Sequence, residues 1–461
     1  MIFLCFLFSK FVFLLCKTML WHILKYYMGF VIAVYFKRSK VKNSHYLKVK
    51  GPVIVAVNHP NAFMDPIALT TLVYPPRLRY LARGDAFKKG IVTALLESLG
   101  IIPIFRIQDG GKEGLKKNDE TYERVKTLLK NNKKIIIFAE GLCIQERRLR
   151  PLKKGVPRMI FGAMESKQLD DLIVVPVGIN YTDPSQFRST IFCNVGKPLK
   201  MIDYMASYKE TPAKTMNQFL ADLAPRMKEL IVHINHKHNE EVIAHIEEVY
   251  RDKYYKQHHY SIANLEHDFL FSTKVVDVIN KAEETNPEAV KELHHKTSHY
   301  CKELKKHHLK DWLLNPSKQK LINYSIGTLR LLFIIITLPI YIRGLIGSYI
   351  PYKLTHIITT KKVRVIEFKA SFNMGIGAFL FLFYYSLQFF LVKTFAPNPW
   401  WAVLALFTSA LSSLFCLYIS PFRKKTWGIF KILKLKSSQP DLIKMLSHQR
   451  KDIIESFEKL M

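Results

Sequence analysis

The chain has 461 residues, of which 49% are hydrophobic, and its 69 Lys and Arg against 37 Asp and Glu give a net charge of +32. This composition excludes a disordered, collagen-like or low-complexity protein. The six cysteines are too few and too scattered for a disulfide scaffold, so we expect reduced thiols. The basic excess indicates a polyanionic partner. Long apolar stretches and the lack of any nucleotide-binding or nucleic-acid-binding motif favour an anionic lipid bilayer and no nucleic acid.

The first apolar stretch covers residues 1–36 and is interrupted by Lys10, Lys17 and Lys25. These lysines disfavour a regular span, and two short helices dipping into one leaflet, or one tilted helix, fit better. A cleaved signal peptide is the alternative, although no small-x-small cleavage site follows the apolar run. We therefore expect membrane-associated helices within residues 1–46.

Two later stretches, 372–392 and 400–420, each reach the roughly 20 residues that a spanning helix needs. The connection between them is short, proline-broken and aromatic, as in a hairpin tip at a membrane interface. Lysines and arginines flank the outer ends of both helices, which predicts that the active site and the C-terminus of an integral membrane protein face the cytoplasm.

A third stretch near the C-terminus, 324–350, contains Arg330, Pro339 and Arg343. Its composition is typical of a kinked interfacial helix. Together these patterns predict membrane helices over 321–420, followed by a basic cytoplasmic tail over 421–461.

Residues 47–200 show short β-branched runs that alternate with helical patterns. The runs are 53–58, 78–82, 101–105, 134–139, 172–180 and 190–196, and the helical patterns lie near 65–73, 86–99, 117–131 and 156–166. Continuous apolar strands separated by helices indicate an α/β domain whose sheet is covered by helices on both faces. Residues 201–320 are helical and highly charged, which predicts a soluble helical extension.

His59 directly follows the first predicted strand, and Asp65 follows it six positions later. Sheets of this class place ligands at the carboxyl ends of their strands. The imidazole of such a pair can accept a proton from an alcohol, while the carboxylate fixes the tautomer. Taken alone, the segment 58–65 favours a simpler interpretation, in which His59 caps the next helix and Asp65 is an ordinary acidic residue of its first turn.

Three further sequence blocks reverse that preference. Arg106 ends a predicted strand and is suited to binding a phosphate or carboxylate in bidentate fashion. The block from Phe138 to Cys143 carries Glu140 and Gly141 and leads into a basic run, and Val-Pro-Val-Gly at 175–178 lies in another strand. In this order the four blocks resemble the motifs of the PlsC-type glycerolipid acyltransferases.

The resemblance is closest to one branch of that superfamily. Five residues separate His59 from Asp65, one more than is usual, with Asn61 and Phe63 between them. This form resembles the branch that acts on glycerol 3-phosphate or dihydroxyacetone phosphate and carries C-terminal membrane helices. Ala139 and Cys143 stand where the superfamily has proline and a hydroxyl residue, which argues against a hydroxyl role at position 143.

The resemblance implies a glycerol-phosphate acyltransferase-like fold and a set of site residues. His59 would be the general base and Asp65 its orienting partner. Substrate-binding roles are implied for Asn58, Asn61, Arg106, Glu140 and Gly141. The acyl donor would be a thioester, either acyl-CoA or an acyl carrier protein, and the acceptor glycerol 3-phosphate or dihydroxyacetone phosphate. No metal and no further cofactor are expected, since a thioester is sufficiently activated for base catalysis and proximity to suffice.

Several alternatives remain open from the sequence. The enzyme would otherwise acylate 1-acyl-glycerol 3-phosphate to phosphatidate, or an amino lipid headgroup or a lysophospholipid. A protein of another class, an inactive lipid-binding scaffold, has no physical need for a base and its orienting partner. His295 and His299 have the i, i+4 spacing of a metal pair, but no Glu or Cys accompanies them in a ligand spacing, which favours a solvated helix face.

Overall fold

The computed structural model describes residues 19, 21–73, 77–84, 87, 90–105, 107–167 and 169–461, with the backbone alone for 91–92, 94–95, 107–117 and 166–167. The chain divides into two compact units, which are Met1–His233 with Val365–Met374, and Ile234–Arg364 with Gly375–Met461. Residues 1–18 and 20 lie outside the described residues, and with them part of the predicted N-terminal membrane segment 1–46.

A mixed sheet organises the first unit. Its described strands are β1 (Arg38–Lys42), β2 (Val53–Val57), β3 (Leu78–Arg83), β4 (Ile101–Ile104), β5 (Lys134–Phe138), β6 (Ile173–Tyr181), β7 (Thr190–Val195) and β8 (Leu199–Lys200). Their order is β1-β7-β6-β2-β5-β3-β4, and β8 pairs with β6. The central strand β2 is parallel to both neighbours, β5 and β6, so the carboxyl ends of these three strands lie at one edge.

Helices cover both faces of this sheet. They are α1 (residues 21–35), α2 (Met64–Leu72), α3 (Ile91–Ser98), α4 (Ile107–Lys130), α5 (Gly155–Lys167), α6 (Met205–Glu210) and α7 (Pro212–Lys228). Apolar side chains of α4, α5 and α7 form a core with one face, and those of α1 and α2 form a core with the other. All five residues of β2 are buried, as expected for a strand covered on both sides. The α/β prediction is confirmed.

The second unit is helical. Its elements are α8 (Glu240–Gln257), α9 (Leu265–Thr285), α10 (Pro287–Lys306), α11 (Tyr324–Ile336), α12 (Leu338–Lys362), α14 (Trp400–Ser438) and α15 (Pro440–Glu458), while α13 (Ile366–Phe395) begins in the first unit and continues into the second. This unit contains a buried ion pair, in which Arg450 donates to Asp311 from Nε at 2.8 Å and from a terminal nitrogen at 3.1 Å. Such a pair is costly to break by removing one partner.

Among the described residues, α13 and α14 are long and apolar enough to cross a membrane. The helices α11 and α12 pass the same test only together, and they are bent by 58° at the break between them. Close packing of α12 on α14 depends on small residues, since a Cβ at Gly344 would lie 2.2 Å from the Ser412 carbonyl oxygen. Small residues at such contacts are typical of membrane helix pairs.

Two boundaries differ from the sequence prediction, and the position of the predicted kink is now defined. The strand β1, Arg38–Lys42, pairs in parallel with β7, so the sheet begins before the predicted domain boundary at residue 47. Its sequence, RSKVK, is that of a charged edge strand and lacks an apolar run. The α4 helix begins at Ile107, well before the expected 117. The predicted kink falls at Thr337, because Pro339 occupies the first turn of α12, where proline is tolerated.

Candidate active site

His59 and Asp65 form a hydrogen-bonded pair at the carboxyl end of β2. His59 Nδ1 lies 2.8 Å from Asp65 Oδ2, and the two side chains are 17% and 0% exposed, respectively. An ionised carboxylate only accepts hydrogen bonds, so Nδ1 carries the proton that is shared with Asp65. Nε2 is therefore left as the basic nitrogen of a partly exposed imidazole, which is the arrangement that general-base catalysis needs.

Two further donors hold the Asp65 carboxylate. The Asn61 backbone N–H donates to Oδ2 at 2.8 Å, and the Tyr181 hydroxyl donates to Oδ1 at 2.7 Å. Burial and the neighbouring Asp65 charge raise the pKa of Tyr181 well above its usual range, so the hydroxyl stays protonated and donates. Because both carboxylate oxygens are engaged, Asp65 holds the imidazole in one orientation.

An aromatic ring fixes the plane of the imidazole. The rings of His59 and Phe138, the last residue of β5, are stacked with centroids 3.8 Å apart and planes 16° apart. Hydrogen bonding to Asp65 along one edge and stacking on one face together leave the imidazole little rotational freedom. The ring is therefore oriented before substrate binds, which lowers the entropic cost of reaching a reactive geometry.

Glu140 is a buried carboxyl residue that contacts the His59 backbone. Its Oε1 accepts the His59 N–H at 3.3 Å, and the side chain is 4% exposed. Burial raises the pKa of Glu140 to about 7, although the backbone N–H groups of His59 and Arg150 act in the opposite direction. Glu140 thus links the loop after β2 to the loop after β5, and a direct contact with substrate stays a prediction.

Gly141 permits the tight turn that follows Glu140. Its φ is +67°, and a Cβ there would lie 2.9 Å from Lys153 Cγ. Its N–H donates to the Phe138 carbonyl oxygen at 3.0 Å and closes the turn. The glycine is therefore explained by backbone conformation and a close approach, while its predicted substrate-binding role stays a prediction.

The two asparagines have different surroundings. The amide of Asn58 exchanges hydrogen bonds with the backbone N–H and carbonyl of Ile179, at 2.7 and 3.0 Å, and so joins β2 to β6. Asn61 donates from Nδ2 to the Pro184 carbonyl oxygen at 2.7 Å, while its Oδ1 is buried without a hydrogen-bond partner in the described part of the chain. Asn58 therefore has a structural role. Asn61 retains an acceptor, in keeping with its predicted position near the reacting centre.

The remaining positions from the sequence motifs are Arg106 and Cys143. Arg106 lies outside the described residues, so its predicted phosphate contact stays a prediction. The Cys143 sulfur accepts the Ala62 N–H at 2.9 Å, and burial raises the pKa of this thiol well above its usual range. Cys143 thus remains a neutral thiol that supports the His59 loop and is poorly suited to act as a nucleophile.

A basic loop, residues 147–154, follows the Glu140 turn. It contains five cations, Arg147, Arg148, Arg150, Lys153 and Lys154, and follows directly after one carboxylate, Glu146. Arg148 and Arg150 both bind Glu146, at 2.8 and 3.0 Å. The cations outnumber the acid, so the loop carries net positive charge, and such a surface attracts anionic groups.

Sequence reasoning assigned no role in this site to three residues. Tyr181 and Phe138 each end a strand, and only the observed strand order places them beside Asp65 and His59. Ser371 is 306 positions after Asp65 in sequence, yet its Oγ accepts the Met64 N–H at 3.0 Å. No local signal in the sequence identifies such contacts. Among the described residues, no group of three or more His, Cys, Asp or Glu is placed to hold a metal ion.

The comparison with known protein families agrees with the motifs. Residues 38–180 match the sequence model of the Acyltransferase family. The resemblance drawn from the four sequence blocks is thereby confirmed over this part of the chain.

Individual proteins also match parts of the chain. The chain is 32% identical over 105 residues to glycerol-3-phosphate O-acyltransferase 2 of Saccharomyces cerevisiae, covering 22% of this chain and 14% of the relative. It is 38% identical over 80 residues to glycerol-3-phosphate O-acyltransferase 1 of the same yeast, covering 17% and 10%. A solved 1-acyl-sn-glycerophosphate acyltransferase from Thermotoga maritima aligns with a TM-score of 0.34 at 15% identity, over 46% of this chain and 80% of that chain. The chain thus spans a small part of the yeast relatives.

Proposed function

We propose that this protein is a membrane-bound O-acyltransferase that transfers a fatty acyl group from a thioester, acyl-CoA or an acyl carrier protein, to glycerol 3-phosphate, with dihydroxyacetone phosphate as a further acceptor. The observation that carries the proposal is the His59–Asp65 hydrogen bond of 2.8 Å, with both Asp65 oxygens held by further donors. Such an arrangement is expected of a catalytic base, whereas a lipid-binding scaffold has no use for it.

The reaction follows from the orientation of the imidazole. The acceptor hydroxyl gives its proton to His59 Nε2 while its oxygen attacks the thioester carbonyl carbon. When the C–S bond breaks, the sulfur leaves with the proton that the imidazolium returns. Asp65 stabilises the imidazolium between these two steps and stays ionised throughout. No covalent acyl-enzyme is needed, which agrees with a nucleophile-poor site in which Cys143 is a neutral thiol.

The acceptor phosphate would be bound by the basic loop 147–154 together with Arg106. The loop begins six residues after Gly141, so its cations lie close in sequence to the turn that supports His59. Guanidinium groups match phosphate geometry bidentately, and an anionic acceptor is attracted to a locally cationic surface. The similarity to two yeast glycerol-3-phosphate O-acyltransferases supports a glycerol-phosphate acceptor.

The membrane association would come from α13, α14 and the bent pair of α11 and α12. Basic residues precede α13 and recur in the second half of α14. By the positive-inside rule, the start of α13, the end of α14 and the catalytic domain would therefore be cytoplasmic. The net charge of +32 suits a surface of anionic lipid.

The test is an acyl-transfer assay on membranes that contain the protein, with His59→Ala membranes as the blank. Glycerol 3-phosphate, dihydroxyacetone phosphate and 1-acyl-glycerol 3-phosphate are offered separately. We expect His59-dependent product from the first acceptor. Product from the third acceptor alone would move the assignment to the second acylation step, and no product from any acceptor would contradict the proposal.

A further inference from the structure

The first residues of the long apolar helix α13 belong to the catalytic unit. Residues Val365–Met374, here called the foot of α13, cluster with the acyltransferase domain. Ala370 and Met374 are 1% and 2% exposed and lie in the same apolar core as Val57 and Met64, which flank the His59 loop. The foot is therefore an integral part of the core around the catalytic pair.

Two polar contacts attach the foot to the loops that frame His59. Ser371 Oγ accepts the Met64 N–H at 3.0 Å, at the start of the helix that carries Asp65. Glu367 Oε1 accepts the Gln145 N–H at 3.3 Å, in the loop that follows Glu140. Because the foot is tied to both loops, its side chains hold fixed positions beside the catalytic pair.

Three phenylalanines form a continuous aromatic surface there. The ring centroids of Phe63 and Phe368 are 5.7 Å apart, and those of Phe368 and Phe372 are 6.4 Å apart. Phe63, two residues before Asp65, is 47% exposed, and Phe372 is 41% exposed. Exposed aromatic residues grouped at a catalytic loop indicate a surface that binds an apolar partner.

The same stripe of rings continues along α13. Phe368, Phe372, Phe379, Phe383 and Phe390 fall within an arc of about 60° at 100° per residue on this helix. Phe379, Phe383 and Phe390 are 68%, 60% and 62% exposed, on a helix that is long and apolar enough to cross a membrane. Residue spacing thus assigns the rings of the foot and the later rings of α13 to one face of this helix.

We propose that Phe63, Phe368 and Phe372 bind the hydrocarbon chain of the acyl thioester donor near its carbonyl end. The proposal rests on the proposed function. Its physical basis is that the acyl carbonyl has to reach the acceptor oxygen at His59, so the first methylenes of the chain pass beside the loop that carries Phe63. These methylenes lose their water when they contact the rings, which is the interaction that selects a long chain over a short one. The foot of α13 would thereby act as a specificity-determining surface.

The first test compares two donors, acetyl-CoA, whose acyl group has no methylene, and palmitoyl-CoA, with glycerol 3-phosphate as acceptor. For Phe368→Ser, we expect the palmitoyl-to-acetyl ratio of kcat/KM to fall by about tenfold or more, as loss of contact with a few buried methylenes implies. The matched control is Phe390→Ser, which lies near the C-terminal end of the same helix and outside the foot. The control should keep the parent ratio.

An unchanged ratio in Phe368→Ser, whatever its absolute activity, would overturn the proposal. Phe63→Leu and Phe368→Leu, which keep an apolar side chain, provide a milder series if the serine variant fails to fold. If the unsubstituted enzyme transfers an acyl group neither from CoA nor from acyl carrier protein, the proposed function itself fails, and this proposal fails with it.

The second test needs no substitution. An acyl-CoA with a diazirine close to its carbonyl group is bound to the membrane enzyme and photolysed, and the labelled peptides are identified. Labelling within 62–73 or 365–374 is the expected result. Labelling confined to the exposed apolar face of α1, which includes Ile23, Tyr26 and Phe30, would assign the chain to the N-terminal helix and overturn the proposal.

Discussion

Among single residues, the proposed catalysis depends most on how the Asp65 carboxylate is held. Oδ1 accepts from Tyr181, while Oδ2 faces both the His59 imidazole and the Asn61 N–H. The carboxylate is fully buried, so its charge is stabilised by these donors and not by water. Removing one donor should loosen the imidazole without abolishing the base.

Tyr181→Phe tests this point. The variant loses one hydrogen bond to a buried carboxylate, worth about 1–3 kcal/mol, and we expect kcat to fall about tenfold while both KM values change little. The matched control is Tyr204→Phe, which removes a tyrosine–aspartate hydrogen bond of 2.8 Å to Asp222 away from the site. A kcat equal to that of the control would show that Tyr181 does not position Asp65.

Glu140 gives a prediction about pH. Its pKa is raised from 4.5 to about 7, chiefly by burial, so between these values the folded state binds a proton that the unfolded state releases. The contribution of Glu140 to the free energy of unfolding is therefore fully present below pH 4.5 and is lost as the pH rises through about 7.

Glu140→Gln should remove this part of the pH dependence. Thermal unfolding of the purified protein at pH 5 and pH 8 measures it, with Glu120→Gln, an exposed acid on α4, as the control. We expect the difference in Tm between the two pH values to shrink in Glu140→Gln alone. An unchanged difference would mean that Glu140 is already ionised in the folded protein at pH 5.

Among the secondary-structure elements, the carboxyl ends of β2, β5 and β6 form the site, and the foot of α13 contacts the loops around His59. Ser371 acts as a cap from outside the helix, since its Oγ accepts the first N–H group of α2. Helix N-terminal N–H groups have no partner within the helix, so an acceptor from elsewhere stabilises the turn that carries Asp65.

We therefore expect Ser371→Ala to lower kcat about three- to tenfold, because a small displacement of the catalytic pair is costly, while KM for glycerol 3-phosphate stays close to that of the parent. Ser371→Thr retains the hydroxyl and should restore most of the rate. If threonine rescues nothing, or if KM changes as much as kcat, the effect is not one of positioning.

Some of these elements and site residues could be predicted from the sequence, and others could not. The apolar runs predict β2 through β7 to within a residue or two, because strands buried on both faces must be continuously apolar. The edge strand β1 was missed, since its residues RSKVK carry charge and only pairing with β7 makes them a strand. His59 and Asp65 were identified from adjacent sequence, whereas Tyr181, Phe138 and Ser371 depend on strand order and helix packing that no local pattern encodes.

For the whole molecule, the proposed membrane association rests on two candidate spanning helices and a strongly basic chain. The charge asymmetry around α13 and α14 predicts a cytoplasmic C-terminus. A glycosylation or protease-protection reporter fused after Met461 measures it. A reporter that is modified or cleaved from outside would overturn the topology, and with it the proposed location of the active site.

The turnover of His59→Ala tests directly whether His59 is the general base. With glycerol 3-phosphate and a long-chain acyl-CoA, we predict a loss of about 10²–10⁴-fold in kcat, the usual contribution of a general base, with membrane association unchanged. His45→Ala, an exposed histidine of the same domain, should retain the parent rate. Near-normal turnover in His59→Ala would contradict the account, because nothing else in it supplies the base.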